Sequence, residues 1–271
     1  MSNAGDGFEQ DVFVGAEERK PVRSAPQPGE KPRVRRFFKE VATAPIEGGF
    51  AVLLDGRSLR TPARVQLILP TQALAEAVAQ EWAGQGETLD PASMPLTKMA
   101  NSAIDGVAQR LAEVEADAVK YAESDLVCYR AGEPQSLKRA EAAAWDPLVR
   151  FARETCGARL SLVEGVMFQQ QPRSAVAALA DAVRRHVSSD ASAPFRLAAL
   201  HALTTLSGSL VIALAVALGE IDAEAGFTAA QVDEDHQMRQ WGADAEALAG
   251  RERRRSELLA AAQMGRLLRD D

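Results

Sequence analysis

The chain has 271 residues, 46% of them hydrophobic and 25% charged, and a formal net charge of −7. That balance excludes a wholly disordered or collagen-like polypeptide. It also makes nucleic acid a poor partner, because affinity for a polyphosphate comes largely from neutralising its charge. Two cysteines, Cys128 and Cys156, cannot build a disulfide framework and point to a reducing compartment.

Residues 1–33 read as a disordered tail. They carry Pro21, Pro26, Pro28 and Pro32 and too few apolar side chains to offset the entropy of ordering. The stretch lacks the apolar core of a secretory signal. Asp6, Glu9, Asp11, Glu17 and Glu18 are unlike an organelle transit peptide. Alanine then divides the chain, with 7 in residues 1–70 and 44 in residues 71–271. Alanine favours helices and disfavours strands. The expected organisation is therefore a β-rich N-terminal domain over 34–70 and an α-helical domain over 71–271, an α+β fold with an antiparallel first part.

Within 34–70, Phe37-Phe38 lies in the first β-type run, Gly48-Gly49 precedes the apolar run Phe50 to Leu54, and Asp55-Gly56 is a hairpin signal. Val65 to Leu69 predicts another short strand. Thr71 is a suitable N-cap, and Leu74, Val78 and Trp82 fall on one helical face. Residues 84–96 read as a loop, and helical pattern resumes from Leu96 to about Glu123. Leu126 to Tyr129 is a strand or an extended connector. A helix is expected from Pro134 to Thr155, broken or kinked at Pro147. Leu160 to Val163 reads as one more strand, and everything after Pro172 as helix.

Leu197 to Gly219 contains no charged residue and is long enough to span a bilayer. His201, Thr204, Thr205, Ser207, Gly208 and Ser209 interrupt it, however, so a single central helix buried among others is expected instead.

Known catalytic signatures are missing: the sequence holds no G-x-G-x-x-G, P-loop or G-x-S-x-G. The cysteines lack partners at metal-ligand spacing and read as packed apolar residues, and His201 as a hydrogen-bonded core residue. The richest cluster is Asp233-Glu234-Asp235-His236, in which Asp233 and His236 can share a helix face. It reads as a solvated acidic face, a partner-binding patch or, least of all, a metal site lacking its further ligands. The basic run Arg251 to Arg255 reads as a solvated helix face rather than a nucleic-acid patch, flanked by Glu246 and Glu257 with which same-helix ion pairs can form. Trp82 and Trp145 are expected in the core. Trp241, ahead of the helix-ending Gly242, suits either packing or a contact surface.

Several stretches in order resemble the assembly chaperones of the ATP synthase F(1) α subunit, the Atp12 family. They are Gly48-Gly49-Phe50, Leu59 to Pro62, Glu81 to Gln85, Met94 to Thr97, Asn101 to Asp105, Ser124 to Arg130, Glu133-Pro134, Trp145 to Leu148, and Asp233 to Gln237 with Trp241-Gly242. The resemblance spans about 34–268. It implies a small β-rich domain followed by a larger helical one, and a chaperone rather than an enzyme. Such a protein holds unassembled α subunit and shields its interface until β joins. It would need no cofactor and no metal, contact no nucleic acid and not insert stably into a membrane. The family's acidic position matches Glu234, so the resemblance implies partner binding through Glu234 with Asp233 and Asp235, and Trp241 stands beside them. A bacterial cytoplasm is the expected location, or the mitochondrial matrix if the source is eukaryotic. The alternative is a small-molecule enzyme built on the Asp233–His236 cluster.

Overall fold

Two tight turns start the architecture. Gly48 closes the hairpin between β1 (Val41–Ile46) and β2 (Gly49–Leu54), which pair antiparallel with Val41 opposite Leu54 and Ile46 opposite Gly49. Asp55 and Gly56, both at positive φ, turn β2 into β3 (Arg57–Ser58), the two-residue geometry that matches strand twist. The Asp55 carboxylate accepts the N–H groups of Glu40 and Lys39, and these bonds hold it below the usual carboxylate range. β4 (Ile68–Leu69) pairs with the other end of β2. At Gly49 a Cβ would lie 2.3 Å from the Leu69 carbonyl oxygen, so β4 passes where only glycine fits.

The computed structural model describes residues 34–269; the tail expected at 1–33 lies outside the described residues. The chain divides between Gly106 and Val107 into two compact units.

In the first unit, α1 (Gln72–Ala83) is capped by Thr71, whose hydroxyl accepts the Leu74 N–H at 3.2 Å. It packs Leu74, Ala75, Val78 and Trp82 against β1 and β2. Trp82 is buried with its ring 5.7 Å from that of Phe38. α2 (Pro95–Asp105) has no side-chain cap of its own. Glu81 supplies one, its Oε1 accepting the Leu96 N–H at 2.6 Å and its Oε2 the Thr97 N–H and hydroxyl at 2.8 and 2.7 Å. Burial nevertheless pushes Glu81 above the ordinary range, against the pull of those bonds. Gln85, also buried, shapes the intervening loop by accepting the Asp90 N–H and donating to the Glu81 carbonyl and Ser93 Oγ. The helical pattern expected from Leu96 to about Glu123 resolves into separate pieces. α2 ends at Gly106, and α3 (Leu111–Lys120) follows a single turn at 107–109.

The second unit is helical around one buried pair. Leu197 to Gly219 forms two helices, not the single one expected: α6 (Ala193–Ser207) stops at Gly208, φ +70°, and Ser209 caps α7 (Leu210–Leu218) through the Ile212 N–H. Ser207 and Ser209 satisfy the backbone groups freed by the break, Ser207 Oγ bonding the Leu203 carbonyl at 2.6 Å. Among the described residues no helix is long and apolar enough to cross a membrane. Asp125, fully buried, reaches across the chain to this break. It accepts from Ser209 Oγ and from the Val211 N–H at 3.0 Å, and it caps the short turn at 126–128 through the Val127 N–H. Desolvation pushes its carboxyl up to about 6.

β5 (Tyr129–Arg130) pairs parallel with β6 (Val163–Glu164). Between them α4 (Gln135–Glu154) runs unbroken through Pro147, so the expected break is absent. Trp145 on α4 is buried and donates to the Ala229 carbonyl at 2.7 Å. The remaining helices are α5 (Arg173–Val187), α8 (Ala223–Ala230), α9 (Val232–Trp241) and α10 (Ala245–Leu267); α10 lies along α6. The described fold is thus a small antiparallel sheet region followed by a larger helical one.

Candidate functional site

Helix α9 carries the acidic cluster, and its residues face three ways. With 3.6 residues per turn, Val232 and His236 turn inward and are buried. Asp233 lies within hydrogen-bonding reach of the buried Glu141 on α4. Burial and the neighbouring Asp233 carboxyl raise Glu141 above the usual range, while the Ala131 N–H, donating at 2.8 Å, and Arg130 oppose them. Arg130 completes this node: its guanidinium lies 5.4 Å from the Trp145 ring centroid and pairs with Asp146 at 3.0 Å.

Glu234 and Asp235 point the other way, to α10. Glu234 Oε2 accepts from Arg254 Nη2 at 2.7 Å, and Asp235 pairs with Arg251. Arg255 binds Glu224 of α8 together with Glu252 of its own helix. The arginine run's possible pairing with Glu246 and Glu257 is therefore corrected. Its arginines reach across to α8 and α9, because those helices lie alongside and present carboxylates. Sequence spacing alone marks only same-helix neighbours. The acidic face of α9 is not a bare negative patch, since two of its carboxylates already hold guanidinium groups.

His236 bonds Gln240 one turn on at 3.0 Å. With Asp233 directed to Glu141, the cluster does not gather around one open pocket. A cleft of about 390 Å³ lies elsewhere, lined by Glu115 of α3 and by Arg184, Val187, Ser188 and Ser189 at the end of α5. Among the described residues no three His, Cys, Asp or Glu side chains are placed to hold a metal ion. Cys128 and Cys156 are both buried and free, and burial pushes the Cys128 thiol up to about 12, far from a reactive thiolate. His201 bonds Asp117 of α3 at 3.1 Å.

Trp241, in the last turn of α9, is 83% exposed. A second exposed apolar feature escaped the sequence reading: Val166, Met167 and Phe168 follow β6 on a loop and are 94%, 78% and 67% exposed. Three adjacent apolar residues carry no period, so helix and strand templates pass over them.

A profile described as ATP12 chaperone protein matches residues 35–153. The crystal structure of Atp12 from Paracoccus denitrificans is 42% identical and covers 87% of this chain and 99% of its own, with a TM-score of 0.80. The Atu1473 protein of Agrobacterium tumefaciens is also 42% identical, over 91% of this chain and 93% of its own, with a TM-score of 0.83. The mitochondrial protein atp12 of Schizosaccharomyces pombe is 24% identical over 230 residues, which is 80% of this chain and 77% of that protein. With this identity carried across nearly the whole of two solved relatives, the chain belongs to the ATP12 chaperone family.

Proposed function

We propose that this protein is an ATP synthase assembly chaperone that binds the unassembled α subunit of the F(1) sector and shields its interface until β joins. It carries out no covalent chemistry. The observation that carries the reading is 42% identity to Paracoccus denitrificans Atp12p over 98% of that chain. The physical need is plain. Subunits that bury large surfaces against each other expose them before assembly and aggregate. Covering such a surface takes binding energy alone, which agrees with a sequence that has no phosphate-binding loop.

We assign the α contact to Glu234, Asp233, Asp235 and Trp241. The exposure of Trp241 supports the assignment, since a large amphipathic ring left in water is a natural anchor at an interface. The arginines on Glu234 and Asp235 fix where those carboxylates stand, and a basic segment of the client would compete with them. The likeness to two bacterial proteins supports a bacterial cytoplasm, and the mitochondrial matrix applies in a eukaryotic source. The test is capture of separately purified F(1) α and β by the purified chain. Stable binding of α and not β is expected, with suppression of α aggregation. Turnover of a metabolite without α binding would overturn the proposal.

A further inference from the structure

We infer that the α9–α10 hairpin is a strap fastened by charge: Arg251, Arg254 and Arg255 hold it closed, and it opens as a local unit, with the helical body intact, when their ion pairs are screened. The inference stands on the second unit's structure alone. It goes beyond the proposed function, to which it adds a movable element, because Glu234 and Trp241 ride on the strap.

Burial divides α10 in two. Its second half packs Leu258, Ala260, Ala261, Ala262 and Met264 into the core. Of the described residues, none from 237 to 257 is buried, a stretch that takes in the end of α9, the turn at Gly242 and the first half of α10. On the other side the strap is rooted by Val232 and His236, which are buried. Between these two roots it lacks the packed apolar face that stabilises most protein helices. The side-chain bonds that cross from α10 to α8 and α9 are made by arginine. Arg254 donates to Glu234 at 2.7 Å, and Arg251 pairs with Asp235. Arg255 reaches Glu224 of α8, and the Arg251 guanidinium lies 5.4 Å from the Phe227 ring centroid.

The arginines need these partners. Arg251 stands three positions from Arg254 and four from Arg255, spacings at which like charges repel on a helix. Glu234, Asp235 and Glu224 offset that repulsion from the neighbouring helices. The pairs are partly open to water: the Glu234 and Arg254 side chains keep 50% and 43% of their exposure. An exposed pair favours closure by a factor of only roughly 1.4 to 5, so three together supply roughly 3- to 100-fold. Salt screens such pairs and leaves apolar burial in place. Segments with few buried apolar contacts are the first to open, and here charge is what resists the opening.

The test is hydrogen exchange, read by mass spectrometry on the full-length chain at ~0.01 M and ~1 M NaCl, where the screening length falls from ~30 Å to ~3 Å. Wild type is compared with the triple variant Arg251→Gln, Arg254→Gln, Arg255→Gln. It is also compared with the charge exchange Glu234→Arg plus Arg254→Glu and with the two single parents of that exchange. High salt is expected to speed exchange of the amides of 238–250 by roughly threefold or more, with those of 197–218 and 258–267 unchanged. The triple variant should exchange as fast at low salt and respond little to more. Glu234→Arg alone should open the strap, and adding Arg254→Glu should restore its protection. Equal exchange of 238–250 in wild type and triple variant would overturn the inference. Acceleration that spreads over 197–218 would make the arginines supports of the whole unit and would overturn it too. No client enters the measurement, so failure to capture α would sink the proposed function and leave the strap standing.

Discussion

Helices α1 and α9 each carry acid and, in the last turn, a tryptophan, and they put both to opposite uses. In α1, Glu81 caps a neighbouring helix and Trp82 is sealed against the sheet. In α9, Glu234 and Asp235 meet arginines at the surface, and Trp241 is left in water. The same residue types therefore serve as architecture in one place and, in the proposed function, as contact surface in the other. Depth and the nature of the partner decide which. A buried carboxylate is useful where it satisfies orphan N–H groups; an exposed one remains open to exchange.

Substitution separates the two roles. Trp82→Ala should cost about 3–5 kcal/mol, the loss of a large packed side chain, read as a lower denaturation midpoint at unchanged slope. A cost near that of a surface change would mean that Trp82 does not anchor the first unit. Glu81→Ala should cost about 2–3 kcal/mol, because the Leu96 and Thr97 donors lose their acceptor. Glu81→Gln should recover part of this.

Acid distinguishes the buried histidine from the buried carboxyls by sign. Burial, with Arg196 and Arg269 nearby, pulls His186 on α5 down to about 4. Its contribution is complete above the unfolded value of about 6.5 and is lost as pH falls from there toward 4, worth at most roughly 3.4 kcal/mol. Asp125 and Glu81, both raised by desolvation, work the other way: each contributes fully below its unfolded value and loses that contribution as pH rises through its folded one. The clean measurement is therefore a difference. The stability gap between wild type and His186→Gln should move in favour of the variant as pH drops from 6.5 to 4. A constant gap would show that His186 protonates freely in the folded chain.

At the small end, Glu234→Lys and Trp241→Ser should each change stability by no more than about 0.5 kcal/mol while weakening capture of α. Unfolding of the Glu234→Lys protein would instead make its bond to Arg254 structural.

Local features were legible in the sequence. The Asp55-Gly56 turn, the Thr71 cap, the face of Leu74, Val78 and Trp82, and the burial of Trp145 all follow from rules that act within about two helical turns. What escaped were bonds between distant residues. Glu81 serves a helix that starts 14 positions later, and Asp125 caps one more than 80 positions on. The break at Gly208 hid inside an apolar run because glycine and serine are tolerated in buried helices too. The acidic residues of α9 were visible as a cluster, but nothing local announces that α10 supplies their arginines or that α4 supplies a second carboxyl. Two stretches that carried the family resemblance turn out to touch one another, Glu81 bonding Leu96 and Thr97.

The reach of Asp125 also sets an order of events during synthesis. The bonds that tie the first unit together close among residues 34–106, so that part can consolidate as soon as it clears the ribosome. Asp125 emerges next and can cap only its own turn through the Val127 N–H until Ser209 and Val211 arrive. Through that interval the nascent second unit lacks the bonds that join Asp125 to the start of α7. Stalling translation between residues 130 and 205 should leave it protease-sensitive, while the first unit already resists digestion.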